Sequence, residues 1–166
     1  MTASVVSVGA RDFDFLWGSW DIHNERIISQ LIGSDEWEQF DARGECWPIL
    51  GGSGNVDTFS AQRDGQNFEG ASLRVYNPAT EQWAIYWADN VTGALMPPVF
   101  GRFIERVGEF VGNDQHDGRP VMVRFRWSDI TADSARWEQA FSEDRGTTWE
   151  VNWIMTFRRR LADPGV

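Results

Sequence analysis

The chain has no lysine: all 15 of its basic side chains are arginine, against 25 Asp and Glu, for a net charge of −10 over 166 residues. Without lysine there is no Schiff-base amine, no phosphate-loop lysine and no Ser–Lys nucleophile pair. The acidic balance speaks against nucleic acid and anionic membranes, which attract basic surfaces. A single cysteine, Cys46, rules out an intrachain disulfide and fits a reducing, cytoplasmic setting. No run approaches the roughly 18 apolar residues of a membrane span. Residues 1–10 carry no basic residue ahead of the single Arg11 and no long apolar run, so they do not read as a signal peptide. Histidine is scarce as well. His23 and His116 lie far apart, Cys46 has neither a Cys nor a His nearby, and no zinc spacing occurs, so no metal and no cofactor are expected.

What the chain does have is aromatic mass, with 10 Trp and 11 Phe. That load argues against disorder, and the length argues for one domain over 1–166. Apolar residues alternate with polar ones instead of recurring at helical spacing. Ten segments read as strands: 20–28, 36–47, 55–62, 67–76, 82–90, 99–107, 109–113, 119–128, 135–142 and 149–158. Gly51-Gly52-Ser53-Gly54, Asp64-Gly65, Asn77-Pro78, Thr92-Gly93 and Asp117-Gly118 supply turn chemistry between them. A short helix is expected over 10–17. About ten strands joined by short turns make an all-β chain, an antiparallel sheet that closes into a barrel or folds into a sandwich.

Gly18-Ser19-Trp20, opening the first long strand, resembles the G-x-W signature of lipocalin-like (calycin) barrels. The resemblance implies an up-and-down antiparallel barrel. In it, Trp20 closes one end and an arginine from Arg158, Arg159 or Arg160 stacks over the indole, a contact worth roughly 0.5–2 kcal/mol. The wider pattern is similar to bacterial domains of unknown function with this barrel. It comprises Phe13-Asp14-Phe15-Leu16 with Trp20-Asp21, then Gly54-Asn55 with Asp57, Leu73-Arg74 with Tyr76-Asn77-Pro78, Trp83 with Tyr86-Trp87, and Trp137-Glu138-Gln139-Ala140-Phe141-Ser142. The fold it implies hosts carriers, haem binders, cyclases and isomerases alike, so activity does not follow from it. Ser142 to Trp149 also matches S-x-D-x-G-x-T-W and resembles the Asp box of propellers. Present once, it reads as a stabilised hairpin turn.

Period-two alternation from Trp20 sends Ile22, Asn24 and Arg26 inward and His23 outward. The same reasoning groups Asn55, Asp57 and Phe59; Phe68, Gly70, Ser72, Arg74 and Tyr76; Trp137, Gln139 and Phe141; and Glu150, Asn152 and Ile154. Aromatic walls with a few polar groups make a small-molecule pocket, and barrels of about eight to ten strands have room for one small ligand. The candidate ligand-binding residues are Asn24, Arg26, Asp57, Arg74, Trp87, Gln139 and Asn152, for an apolar or aromatic molecule.

Two alternatives stay open. Asp57 or Glu150, desolvated beside tryptophan, could serve as acid or base in a cofactor-independent cyclase or isomerase acting on an apolar carbonyl compound. Or Arg74 pairs with Asp57 or Glu150 and plugs a filled, structural barrel that works through protein contacts. The aromatic residues on both faces of 83–87 are compatible with a homodimer. Residues 113–118 read as a hairpin loop that includes His116. With His23 outward and His116 in a loop, haem is not expected. Cys46, lacking a histidine partner, reads as a small core residue.

Overall fold

The computed structural model describes residues 8–161; Met1–Ser7, most of the segment read for a leader, and residues 162–166 lie outside the described residues. Ten strands follow one another: β1 Gly18–Ile27, β2 Trp37–Ile49, β3 Gly54–Arg63, β4 Gln66–Asn77, β5 Gln82–Asp89, β6 Val99–Ile104, β7 Val107–His116, β8 Arg119–Ser128, β9 Ser134–Ser142 and β10 Glu150–Arg159. Each pairs antiparallel with the next, and β1 pairs with β10, so the sheet closes into an up-and-down barrel. Closure leaves no unpaired strand edge. No described helix is long and apolar enough to cross a membrane.

Alternation builds the interior. In β1, Trp20, Ile22 and Asn24 are buried while Asp21 and His23 are exposed; in β8, Val121, Val123 and Trp127 are buried and Arg126 is exposed. Hairpin turns sit where the chain offers residues that tolerate positive φ. Asp64-Gly65 (φ 51 and 75) and Asp117-Gly118 (φ 48 and 75) are both left-handed at two consecutive positions, as tight hairpins require.

Three expectations are corrected. The helix over 10–17 is two 3₁₀ turns, Val8–Arg11 and Asp14–Leu16. Ala10, Phe13 and Leu16 recur every third residue, the spacing that a 3₁₀ turn aligns on one side, and all three are buried. The segment 99–107 holds a reversal, because the chain turns at Glu105 (φ 57) without glycine or proline to announce it. The face assigned to Glu150, Asn152 and Ile154 breaks at a bulge: the β9–β10 register shifts between Val151 and Trp153. Asn152 is the extra residue, so Trp153, Met155 and Phe157 become the buried set and Ile154 leaves it.

One end of the barrel is plugged by the N-terminal turns. The Phe13 ring meets Trp83 at 5.0 Å, Phe103 at 4.9 Å and Phe110 at 5.6 Å, with Trp127 at 6.1 Å. Trp20 donates its indole N–H to the Leu16 carbonyl at 2.7 Å. Of the three terminal arginines it is Arg159 that stacks over Trp20, 4.2 Å from the ring. Its guanidinium also donates to the carbonyls of Ala132, Trp17 and Phe15.

Candidate functional site

Above this plug the barrel holds a cavity of about 380 Å³, reaching the opposite end, where the β1–β2 and β5–β6 loops contribute Gln30, Thr92 and Met96 to its lining. That volume lies within the range of small-ligand pockets. Trp87, Trp137, Trp153, Phe59, Phe125 and Met155 supply apolar wall. Trp137 and Trp153 meet edge to face at 5.9 Å, and Phe59 touches both Trp87 and Trp153 by ring edges.

Five of the seven expected ligand-binding residues line this cavity: Arg26, Asp57, Arg74, Trp87 and Gln139. The other two do not. Asn24 is fully buried behind the wall, accepting from the Trp153 indole at 3.0 Å and donating to the Ile22 carbonyl at 3.1 Å. Asn152 is also fully buried at the β10 bulge, where it accepts from the Gln139 amide at 2.9 Å; its own amide nitrogen has no partner. Both amides satisfy or orient neighbours of the cavity instead of reaching it.

Neither carboxylate candidate is free. Asp57 accepts from the Arg74 guanidinium at 2.5 Å and from the Ser72 backbone N–H at 3.1 Å. Arg74 also donates to Asn55 at 3.0 Å and lies over the Phe13 and Trp127 rings, so this cluster sits against the plug. Glu150 does not line the cavity: both its oxygens accept the backbone N–H of Leu31 at 3.0 Å, tying the β1–β2 loop down. Arg74 pairs with Asp57, as the filled-barrel reading anticipated, yet the space above the pair remains open. Cys46 is buried near the same pair, and burial pushes its thiol up to about 12, with Arg74 opposing the shift and Asp57 adding to it. An inert core thiol follows.

His23 faces outward and bonds Asp41 at 2.8 Å. His116 is not in a loop: it is the last residue of β7, with its ring 5.4 Å from that of Phe141, and it lines the mouth of the cavity. The Asp117-Gly118 turn read from the sequence already implies this, since a two-residue turn makes both flanking residues strand ends. Among the described residues, no group of three or more His, Cys, Asp and Glu side chains is placed to hold a metal.

Sequence reasoning also passed over a charged cluster at the mouth. Glu38 of β2 contacts Arg26 of β1 at 3.6 Å and is bonded by Arg63 of β3. Alternation from Phe59 and Ala61 points Arg63 inward, but the expected strand stopped one residue short. Across the mouth, Asp89 accepts from the Trp87 indole, the Val91 and Thr92 backbone N–H groups and the Thr92 hydroxyl. Burial raises its carboxyl, and these hydrogen bonds more than offset that, holding it below the usual carboxylate range.

At the same end the β9–β10 turn has Asp-box geometry. Asp144 accepts from the Ser142 hydroxyl at 2.8 Å and from the Thr148 backbone N–H and hydroxyl at 2.8 and 2.6 Å. The Trp149 indole donates to the Gly146 carbonyl at 3.1 Å, and Arg124 covers its ring at 4.6 Å.

No protein-family model matches the chain, and no curated protein matches it. Solved structures do. An S-type phycobiliprotein lyase from Guillardia theta aligns over 95% of this chain and 100% of its own, with a TM-score of 0.61 at 12% identity. Rv2717c from M. tuberculosis aligns over 94% and 99%, with a TM-score of 0.62 at 11% identity. A redesigned β-barrel aligns over 94% and 100%, with a TM-score of 0.52 at 8% identity. At such identities the likeness carries the fold alone. The chain is a closed ten-stranded lipocalin-like barrel.

Proposed function

We propose that this barrel binds one small apolar or aromatic molecule, end-on, in the cavity above the N-terminal plug. The observation that carries the reading is an interior of about 380 Å³ that ten strands leave open at one end and wall with tryptophan and phenylalanine. Apolar burial supplies the affinity, at roughly 25 cal/mol per Å² of area removed from water. Trp87, Gln139 and Arg26 contact the ligand from the wall and mouth, and Arg74 with Asp57 from the floor. Likeness to a barrel named as a phycobiliprotein lyase is in keeping with a small-molecule role.

Catalysis by the cyclase or isomerase route receives no such support. A general acid or base needs a proton free to exchange within reach of the substrate. Asp57 is held by Arg74, and Glu150 by a backbone amide outside the cavity. The similarity to bacterial domains of unknown function belongs to this same binding proposal.

Native mass spectrometry of freshly purified protein tests the reading, followed by tryptophan fluorescence against a panel that includes 1-pyrenebutanol. Five tryptophans line the cavity, Trp20, Trp87, Trp127, Trp137 and Trp153, so an occupant there quenches emission. A co-purifying mass or saturable quenching is expected. No adduct, together with unchanged emission for every compound, would overturn it.

A further inference from the structure

The cavity has two arginine sites, and they are in opposite states. At the floor Arg74 is neutralised: Asp57 lies 2.5 Å from it and Asn55 accepts a second hydrogen bond. At the mouth two arginines share one carboxylate: Arg26 lines the cavity, and Arg63, outside its lining, is held beside Arg26 through Glu38. Arg26 and Arg63 both reach the same Glu38 oxygen, and the Arg26 contact, at 3.6 Å, is long for a hydrogen bond. The Nε atoms of Arg26 and Arg63 are buried and have no hydrogen-bond partner, and the same holds for that of Arg74, so the two sites differ in the carboxylate available to each arginine: one for Arg74 alone, and one shared by Arg26 and Arg63. Aromatic faces hold both guanidinium planes in place, Arg26 over Trp153 at 5.1 Å and Arg63 over Phe40 and Phe68 at 4.9 and 5.6 Å. Trp153 is itself a wall of the cavity. Burial, then the neighbouring Arg63 charge, pull the Arg26 pKa below its ordinary value, with Glu38 and, more weakly, the Asp89 charge opposing. Asp89, across the mouth, is already committed to Trp87, Val91 and Thr92.

We propose that the mouth recognises a carboxylate: the ligand enters apolar end first and leaves its acid group against Arg26 and Arg63. This rests on the cavity reading and adds the ligand's class, an amphipathic organic acid, and its orientation. Planar guanidinium groups match carboxylate geometry, and charge-assisted hydrogen bonds are about twice as strong as neutral ones. The net charge of −10 repels anions at long range, so selection depends on this local pair. A carboxylate placed here gives the second arginine the partner that one Glu38 cannot supply to both.

The test compares 1-pyrenebutyrate with 1-pyrenebutanol, one ring system with and without the acid, by tryptophan-to-pyrene energy transfer. The acid is expected to bind about tenfold tighter than the alcohol, the equivalent of one good charged contact. In the double variant Arg26→Gln/Arg63→Gln the acid-to-alcohol affinity ratio falls to near one. In Glu38→Gln, which frees both arginines, the ratio rises above that of the parent. Equal binding of acid and alcohol by the parent overturns the carboxylate site and leaves the cavity reading standing. So does a ratio that survives the double variant, or one that falls in Glu38→Gln. If neither compound binds, the cavity reading falls and this proposal falls with it.

Discussion

The two ends of the barrel use the same residue types to opposite effect. At the plugged end Arg159 lies over Trp20 and gives its donors to three backbone carbonyls, while the Trp20 and Trp83 indoles donate to Leu16 and Gly9. Trp127, whose indole nitrogen has no partner, and Arg74, whose Nε has none, are exceptions there. At the open end Arg26 lies over Trp153 in the same stacked manner, yet its Nε finds no acceptor, and Trp87 is only half-buried. Stacked Arg–Trp pairs therefore do not by themselves mark a site or a staple. What decides is whether the polar atoms find backbone partners. The N-terminal turns bring carbonyls to one end, and among the described residues no equivalent segment covers the other.

The largest expected break in this contrast is Trp20→Ala. It removes a fully buried indole and the platform for Arg159, and should cost about 3–5 kcal/mol in urea unfolding. A cost no greater than that of Trp87→Ala would mean the plug is not the more stabilising end. Next comes Asp57→Ala, which leaves the buried Arg74 charge without its counterion. Breaking such a pair costs about 3–5 kcal/mol in dry interiors. Asp57 keeps some contact with solvent, with a side chain 17% exposed, so about 3 kcal/mol is the expected figure. Asp57→Asn, which retains an acceptor, should cost clearly less.

How legible each end was follows from the same physics. Trp20, Arg74 and Phe59 announce their faces because alternation survives along β1, β3 and β4, and the G-x-W start with a terminal arginine anticipated the plug. The 119–128 strand was read to its residue, its start marked by Asp117-Gly118. Three features left no trace. The bulge at Asn152 needs a partner strand to define it, and alternation alone carries straight through. The turn at Glu105 has no glycine or proline. The partners of Asn24 and Glu150 lie 129 and 119 residues away in the chain, a distance no local pattern reports. The site was thus readable as a set of inward residues, while which of them are already engaged depended on pairings that only the folded barrel makes.

Gly70→Ala sharpens the open end with a smaller expected effect. A Cβ at Gly70 would lie 2.1 Å from Cη2 of Trp87, so the indole must swing away from β4. The backbone there is ordinary strand, so the cost is overpacking alone, about 1–3 kcal/mol. Because Trp87 lines the mouth, its displacement should weaken 1-pyrenebutanol binding more than it lowers stability. Unchanged binding would show that Trp87 is not part of the working wall.

The smallest effect belongs to Asp144, which shows that the open end also has a satisfied turn. Hydrogen bonds from the Thr148 hydroxyl and backbone, then from Ser142, hold its carboxyl down at about 2, against an ordinary 3.8. A carboxyl lowered in the folded state stabilises the fold above its unfolded pKa, and that contribution fades as the pH falls through the folded one. The parent should therefore exceed Asp144→Asn in Tm by a constant margin from neutral pH down to about pH 4. The margin should then shrink as the pH approaches 2, where the carboxyl protonates in both states. Asn keeps one acceptor oxygen and the group is fully exposed to screening solvent, so the margin is small. A margin that grows below pH 4 would mean that these hydrogen bonds do not favour the charged form, and that the turn is held by Trp149 under Arg124 instead.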